Sequence, residues 1–359
     1  MINQNVQAPG PAAAAEKATG ARFLKGFRTP DGRISWRRFF GQWEFLLFVL
    51  LIAINIANTL ISPYYFSAEG LLNASMSFLD KTFLVFPMAM IILIGEIDIS
   101  VASTIALSSV IMGVSYNAGN GVPMVAAILI GLAVGTVCGL LNGLLLTRFP
   151  ELSPMIVTLS TMTIYRGIAE IILMDQSAGK FPEWFQYFGW GYLGPIPFIL
   201  VCFIGCAVFF SYLINRTPFG RNLYAIGGNK TASRFSGIEV ARYRIIVYTL
   251  AGFMASVTAI FLTSRMSSTR PNVAQGYELD VIAMVVLGGI STVGGKGRLG
   301  GALLSVFVIG LLSYGIGLKN LDAQVLLIII GLMLVLSVLI PNLLALRRSG
   351  VAHRRRNAG

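Results

Sequence analysis

The sequence predicts an all-α, polytopic membrane protein with about ten spanning helices, and three observations predict it. Hydrophobic residues make up 55% of the 359-residue chain and charged ones 12%, where a soluble domain carries about 25% charged residues. So few charges cannot cover a water-exposed surface, and the mean hydropathy of +0.76 agrees. The apolar residues gather in long runs bounded by Pro, Gly or charge, and none alternates as a barrel strand does. The formal net charge of +12 sits mainly in the gaps between runs and at the chain ends. That is the pattern of membrane topology, so the expected partner is a lipid bilayer and not nucleic acid.

Residues 1–40 read as a mobile cytoplasmic tail, because PGPAAAAEKATGAR has few large apolar residues and the segment from Lys17 to Arg38 carries seven cations. No short apolar core with a cleavage-like site precedes the first long run, so that run is expected to be retained as a signal anchor. The transmembrane domain is expected over 41–346, with runs near 43–61, 78–95, 99–116, 122–146, 155–174, 196–214, 244–263, 277–290, 299–317 and 322–345. A basic cytoplasmic tail, 347–359, closes the chain. The second, third and eighth runs are short for a span of about 20 residues. Short or broken spans among longer ones suit a transporter interior, where protein or water satisfies irregular backbone.

Charge sets the orientation. With both termini inside, an even number of spans is required and the gaps at 147–154, 215–243 and 291–298 are cytoplasmic. This arrangement places 21 of the 27 Lys and Arg on the inner side.

The three cysteines, Cys138, Cys202 and Cys206, lie inside apolar runs, and the single histidine, His353, lies in the basic tail. No disulfide framework, metal site or cofactor is expected. STVGGKGR resembles a phosphate loop only in part: Ile290 stands where the first Gly is needed and Gly297 replaces the Ser or Thr that would hold magnesium. The glycine-rich stretch reads as a tight turn, and ATP hydrolysis must come from another polypeptide. The chain is expected to be no enzyme itself.

The gap from Thr217 to Arg244 is too long and too patterned for a simple connector. Pro218 and Gly220 break the preceding helix, and Thr231 to Ile238 form a short surface helix with Asn229 or Thr231 at its start and Gly237 at its stop. Candidate positions on the spans are fewer. Asp98 or Ser100 caps the third helix, or the two line a translocation path. Thr158, Thr161 and Tyr165, at i, i+3 and i+7, form a hydroxyl stripe that either lines the path or bonds its own helix carbonyls. Arg166 and Glu170, at i and i+4, form an ion pair or contact solute. Glu278 and Asp280, at the outer end of the eighth span, dock a binding protein or hold neighbouring loops.

GRNLYAIGGNKTASRFSGI resembles the cytoplasmic signature loop of permease subunits of ribose-type ABC importers. Gly220, Arg221, Ala225, Gly227, Asn229, Ala232, Gly237 and Ile238 match its pattern. GEIDIS at 95–100, GLLNG at 139–143, IVTLSTMTIYRG at 156–167 and GYELDVIAMVVLGGISTVGGKGR at 276–298 match further motifs in order. Glu96 departs, standing where the family has a second glycine.

The resemblance implies the ABC importer permease fold and makes 220–238 the coupling helix, seated in a groove of an ATPase subunit. It also implies a periplasmic solute-binding protein, a second permease copy or a related chain, and a place in the bacterial inner membrane. The solute it implies is a sugar or sugar-like molecule of the ribose, rhamnose, autoinducer-2 or polyol type. The alternative is a self-contained secondary transporter or channel, which needs its own coupling-ion site or filter. A membrane enzyme has no support without clustered metal ligands or catalytic histidines.

Overall fold

The computed structural model describes residues 43–117 and 121–319, together with 324–325, 327–333, 335–336 and 339. The tails at 1–40 and 347–359, and much of the tenth run, lie outside the described residues. The described chain is mostly helical: α1 Trp43–Ile61, α2 Ala68–Thr82, α3 Val85–Leu93, α4 Val101–Asn117, α5 Met124–Arg148 and α6 Pro154–Leu173 come first. They are followed by β1 Ala178–Gly179, α7 Glu183–Trp190, β2 Tyr192–Leu193, β3 Ile196–Pro197 and α8 Phe198–Arg216. The remainder is α9 Pro218–Gly228, α10 Lys230–Phe235, α11 Val240–Met266, β4 Ser268–Thr269, α12 Tyr277–Leu287 and α13 Leu299–Leu318. The strand pairs β1–β4 and β2–β3 are two-residue antiparallel ties.

Six helices (α1, α5, α6, α8, α11 and α13) are long and apolar enough to cross a membrane among the described residues. The pair α2 and α3, bent by 44°, makes a seventh if it is one broken span. The short α4 and α12 correspond to the short third and eighth runs. Two boundaries differ from expectation. The second run begins ten residues earlier, at Ala68, because Glu69, Asn73, Ser75 and Ser77 lower the hydropathy of its first turns while Ser67 accepts the Gly70 N–H and caps it. The seventh run extends to Val240–Met266, since Arg242 occupies a first helical turn that an apolar window excludes.

The interior is organised around α11, which is two-thirds buried, whereas α1 and α8 turn most of their surface outward. Small residues allow α11 to lie against α5: a Cβ on Gly139 would stand 2.3 Å from the Tyr248 carbonyl oxygen, and one on Gly252 would stand 2.0 Å from that of Gly135. At the bend between α2 and α3, Phe83 stacks on Phe261 of α11 at 4.8 Å and Phe86 stacks on Phe210 of α8 at 5.0 Å. These rings bury the break in apolar packing.

Candidate functional site

One end of the bundle carries α9 and α10. The sequence reading expected one short helix at 231–238; the structure has two, because Pro218 starts a helix where its missing N–H costs nothing. Thr217 caps it, accepting the Gly220 N–H at 3.5 Å while donating to the Leu213 carbonyl at 2.6 Å. Leu223 and Ile226 are fully buried beneath α9. Phe219 stacks on Tyr243 at 5.3 Å, and Asn222 Nδ2 donates to the Tyr243 hydroxyl at 2.6 Å. Tyr224 donates to the Gly297 carbonyl at 3.0 Å, and burial pushes its phenol above the ordinary range, so it stays a donor.

The tightest contact of α9 is at Gly227, where an added Cβ would stand 1.8 Å from the Leu93 carbonyl oxygen and 2.4 Å from the Gly295 nitrogen. Gly295 itself donates to Leu93 at 2.8 Å. The ends of α3, α9 and the 291–298 turn therefore meet backbone to backbone. The turn is tight and glycine-rich as expected, with positive φ at Gly294, Gly295 and Gly297.

After α9, Asn229 caps α10 by accepting the Ala232 N–H at 2.9 Å, and Gly237, at φ 82°, follows the helix end. Both terminators stand where the sequence puts them. Of the matched residues, Gly220 is buried, and Gly227 and Ile238 are half-buried against the bundle. Arg221, Ala225, Asn229, Ala232 and Gly237 are exposed. Phe235, which no motif singled out, is 90% exposed at the end of α10.

Within the bundle, a second group forms a buried polar chain. Asp98 Oδ1 accepts the Ser100 N–H at 2.8 Å and its hydroxyl at 2.6 Å, and Asn142 Nδ2 donates to Ser100 Oγ at 2.8 Å. Tyr165 donates to Asn142 Oδ1 at 3.3 Å and to the Cys138 carbonyl at 3.1 Å. Asp98 thus closes a turn ahead of α4, whose first backbone bond is accepted by Ser100.

Thr158 and Thr161 are buried and donate to their own helix, to Pro154 and Thr158 carbonyls at 3.0 and 3.2 Å. The hydroxyl stripe faces α4 and α5 inside the chain, while Ile156, Leu159 and Ile171 form the outward face of α6. Arg166 has no ion pair with Glu170; its Nη1 donates to the Pro271 and Val273 carbonyls at 2.5 and 2.8 Å. The i,i+4 geometry loses because the 270–276 loop offers two converging carbonyls.

Near the start of α12, Asp280 is buried and paired with Lys81, so its carboxylate is spent within the chain and offers no outward docking charge. Arg265 pairs with Asp80 at 2.9 Å, and Tyr277 donates to the same carboxylate at 3.3 Å. Glu278 is half-buried, with Oε2 unpartnered. The sequence reading missed Asp80, Lys81 and Arg265 as a group. The available signal was charge inside long apolar stretches, but their pairing spans nearly 200 residues and has no local period.

The chain matches, over residues 70–338, the family described as "Branched-chain amino acid transport system / permease component". It is 38% identical over 299 residues to the ribose import permease protein RbsC of Bacillus subtilis, covering 82% of this chain and 90% of that one. It is 34% identical to RbsC of Escherichia coli K12 over 323 residues, 86% and 98% of the two chains. The autoinducer 2 import system permease protein LsrD of Salmonella typhi is 32% identical over 333 residues, 90% and 98% of the two. No solved structure matches the chain significantly.

Proposed function

This chain belongs to the family of transport-system permease components, and from that premise we propose that it is the membrane permease of an ATP-driven importer for a sugar or sugar-like solute. It is a multi-pass membrane protein, and we place it in the bacterial inner membrane with ten spans and both termini cytoplasmic. The supporting argument for orientation is the gathering of Lys and Arg in alternate gaps. Two copies, or this chain and a related one, would enclose the path, receiving solute from a periplasmic binding protein.

The observation that carries the reading is the α9–α10 element. It is clamped to the bundle through backbone at Gly227 and through Tyr224, yet exposes Arg221, Ala225, Ala232 and Phe235 on its free side. A rigid element with an aromatic anchor outside and a backbone joint inside can receive a push from a separate ATPase and pass it to α3 and the 291–298 turn. Asp98, Ser100 and Tyr165 keep a place in the proposal as packing beside the path.

Affinity purification of the tagged chain from its host should recover an ATP-binding subunit, and Phe235→Asp, which puts a charge on the proposed contact, should lose most of it. A chain that purifies alone and moves solute in liposomes without ATP would be a secondary carrier, and the role of α9–α10 would be lost. Independently, Thr231→Cys in a cysteine-free background should react with a membrane-impermeant maleimide only in inside-out vesicles. Labelling of intact cells would reverse the orientation.

A further inference from the structure

Glu96, the residue that departs from the family pattern, lies in the extended stretch between α3 and α4 with its side chain 1% exposed. Its Oε1 accepts from Lys230 Nζ at 2.8 Å, from Arg244 Nε at 2.9 Å and from Arg244 Nη2 at 2.5 Å. Lys230 is the first residue of α10, and Arg244 lies in the second turn of α11. Arg244 Nη1 also donates to the Leu146 carbonyl near the end of α5, at 2.6 Å. One carboxylate oxygen therefore joins the α3–α4 break to α10 and α11, and Arg244 extends the link to α5.

The two cations are not equivalent. Arg244 is 13% exposed and holds Glu96 through two nitrogens, whereas Lys230 is 39% exposed and holds it through one. A planar fork buried beside a carboxylate has nowhere better to go, and losing it strands a buried charge. The half-exposed ammonium of Lys230 reaches the same buried oxygen from α10, so the contact joins a surface helix to a carboxylate that cannot turn to water. Within α10 only Lys230 and Ser233 escape full exposure, so the Lys230 arm is the charged tie between that helix and the membrane core.

We propose that Glu96 is a positioning residue of the transport cycle, anchored by Arg244, and that its contact with Lys230 is the arm through which α10, as it moves, draws the α3–α4 break. This rests on the reading of α9–α10 as the element that meets the ATPase. Breaking the arm leaves α10 free to move without drawing the α3–α4 break, so hydrolysis becomes less tightly tied to solute movement.

The test uses the reconstituted complex with its ATPase and binding protein. Lys230→Met should lower solute moved per ATP hydrolysed by about fivefold or more, and Lys230→Arg should restore most of it. An unchanged ratio in Lys230→Met, or a loss that Lys230→Arg does not relieve, overturns the proposal. Melting of the detergent-solubilised chain alone reads the tie without any ATPase. There Glu96→Gln should cost less in the Lys230→Met background than by itself, and strict additivity counts against the contact. Failure of the wild-type chain to recruit an ATPase would remove the transport reading, while the melting cycle would still report on the tie.

Discussion

Gly227→Leu is expected to abolish ATP-dependent uptake and to lower the melting temperature of the purified chain, while Gly228→Ala leaves that melting temperature unchanged. The two glycines are adjacent on α9, but their Cβ directions differ by about 100° around the helix. A Cβ at 228 meets nothing within 4 Å, whereas one at 227 would stand 1.8 Å from the Leu93 carbonyl oxygen and 2.4 Å from the Gly295 nitrogen. Both obstructing atoms are backbone, so no rotamer change relieves the clash. Overpacking in a tight site costs about 1–3 kcal/mol, and more where the chain itself must move.

Here the movement separates α9 from α3 and from the 291–298 turn, which is the proposed route from the ATPase to the spans. The loss of uptake should therefore exceed what the melting shift alone explains. Gly227→Ala already carries the clashing Cβ, so it too is expected to lower both uptake and melting temperature, by less than leucine does. Normal uptake in Gly227→Leu would mean that the close approach is not the route.

Periodicity and local chemistry made much of this molecule legible. Runs of apolar residues bounded by Pro, Gly or charge placed α1, α4, α5, α6, α8, α12 and α13 within a few residues, because a span must be apolar along its length. Asn229 and Gly237 were readable as the limits of a short helix because capping depends on one side chain and one backbone angle. The misses share one cause, which is that the deciding partner is far away in sequence. The last turn of α2 looks too charged for a span until Asp80 and Lys81 find Arg265 and Asp280. The helix at 218–228 looks like broken chain until Leu223, Ile226 and Gly227 find the bundle. Arg166 and Glu170 have the spacing of an ion pair, yet Arg166 is taken by carbonyls at 271 and 273.

The second large effect is expected at Lys81 and Asp280. Lys81 Nζ donates to Asp280 Oδ2, with the two side chains 8% and 9% exposed, and lies over the Tyr277 ring at 5.3 Å. Asp80 beside it takes Arg265 and the Tyr277 hydroxyl, so two carboxylates and two cations share one buried cluster that joins α2, α11 and α12. Asp280→Asn leaves the Lys81 ammonium buried without its countercharge, and breaking such a pair from one side costs about 3–5 kcal/mol. The singly substituted chain should melt far earlier in detergent, or be recovered in low yield.

Replacing both partners with apolar residues of similar size, Lys81→Met with Asp280→Leu, removes both desolvated charges together, which is often neutral or stabilising. The pair should therefore recover most of the loss, provided Tyr277 still packs on the methionine. A double variant as unstable as the sum of the singles would show the two charges acting independently. Binding-protein affinity unchanged in the double variant would agree with Asp280 facing inward, since a docking charge would be missed however well its neighbour was replaced.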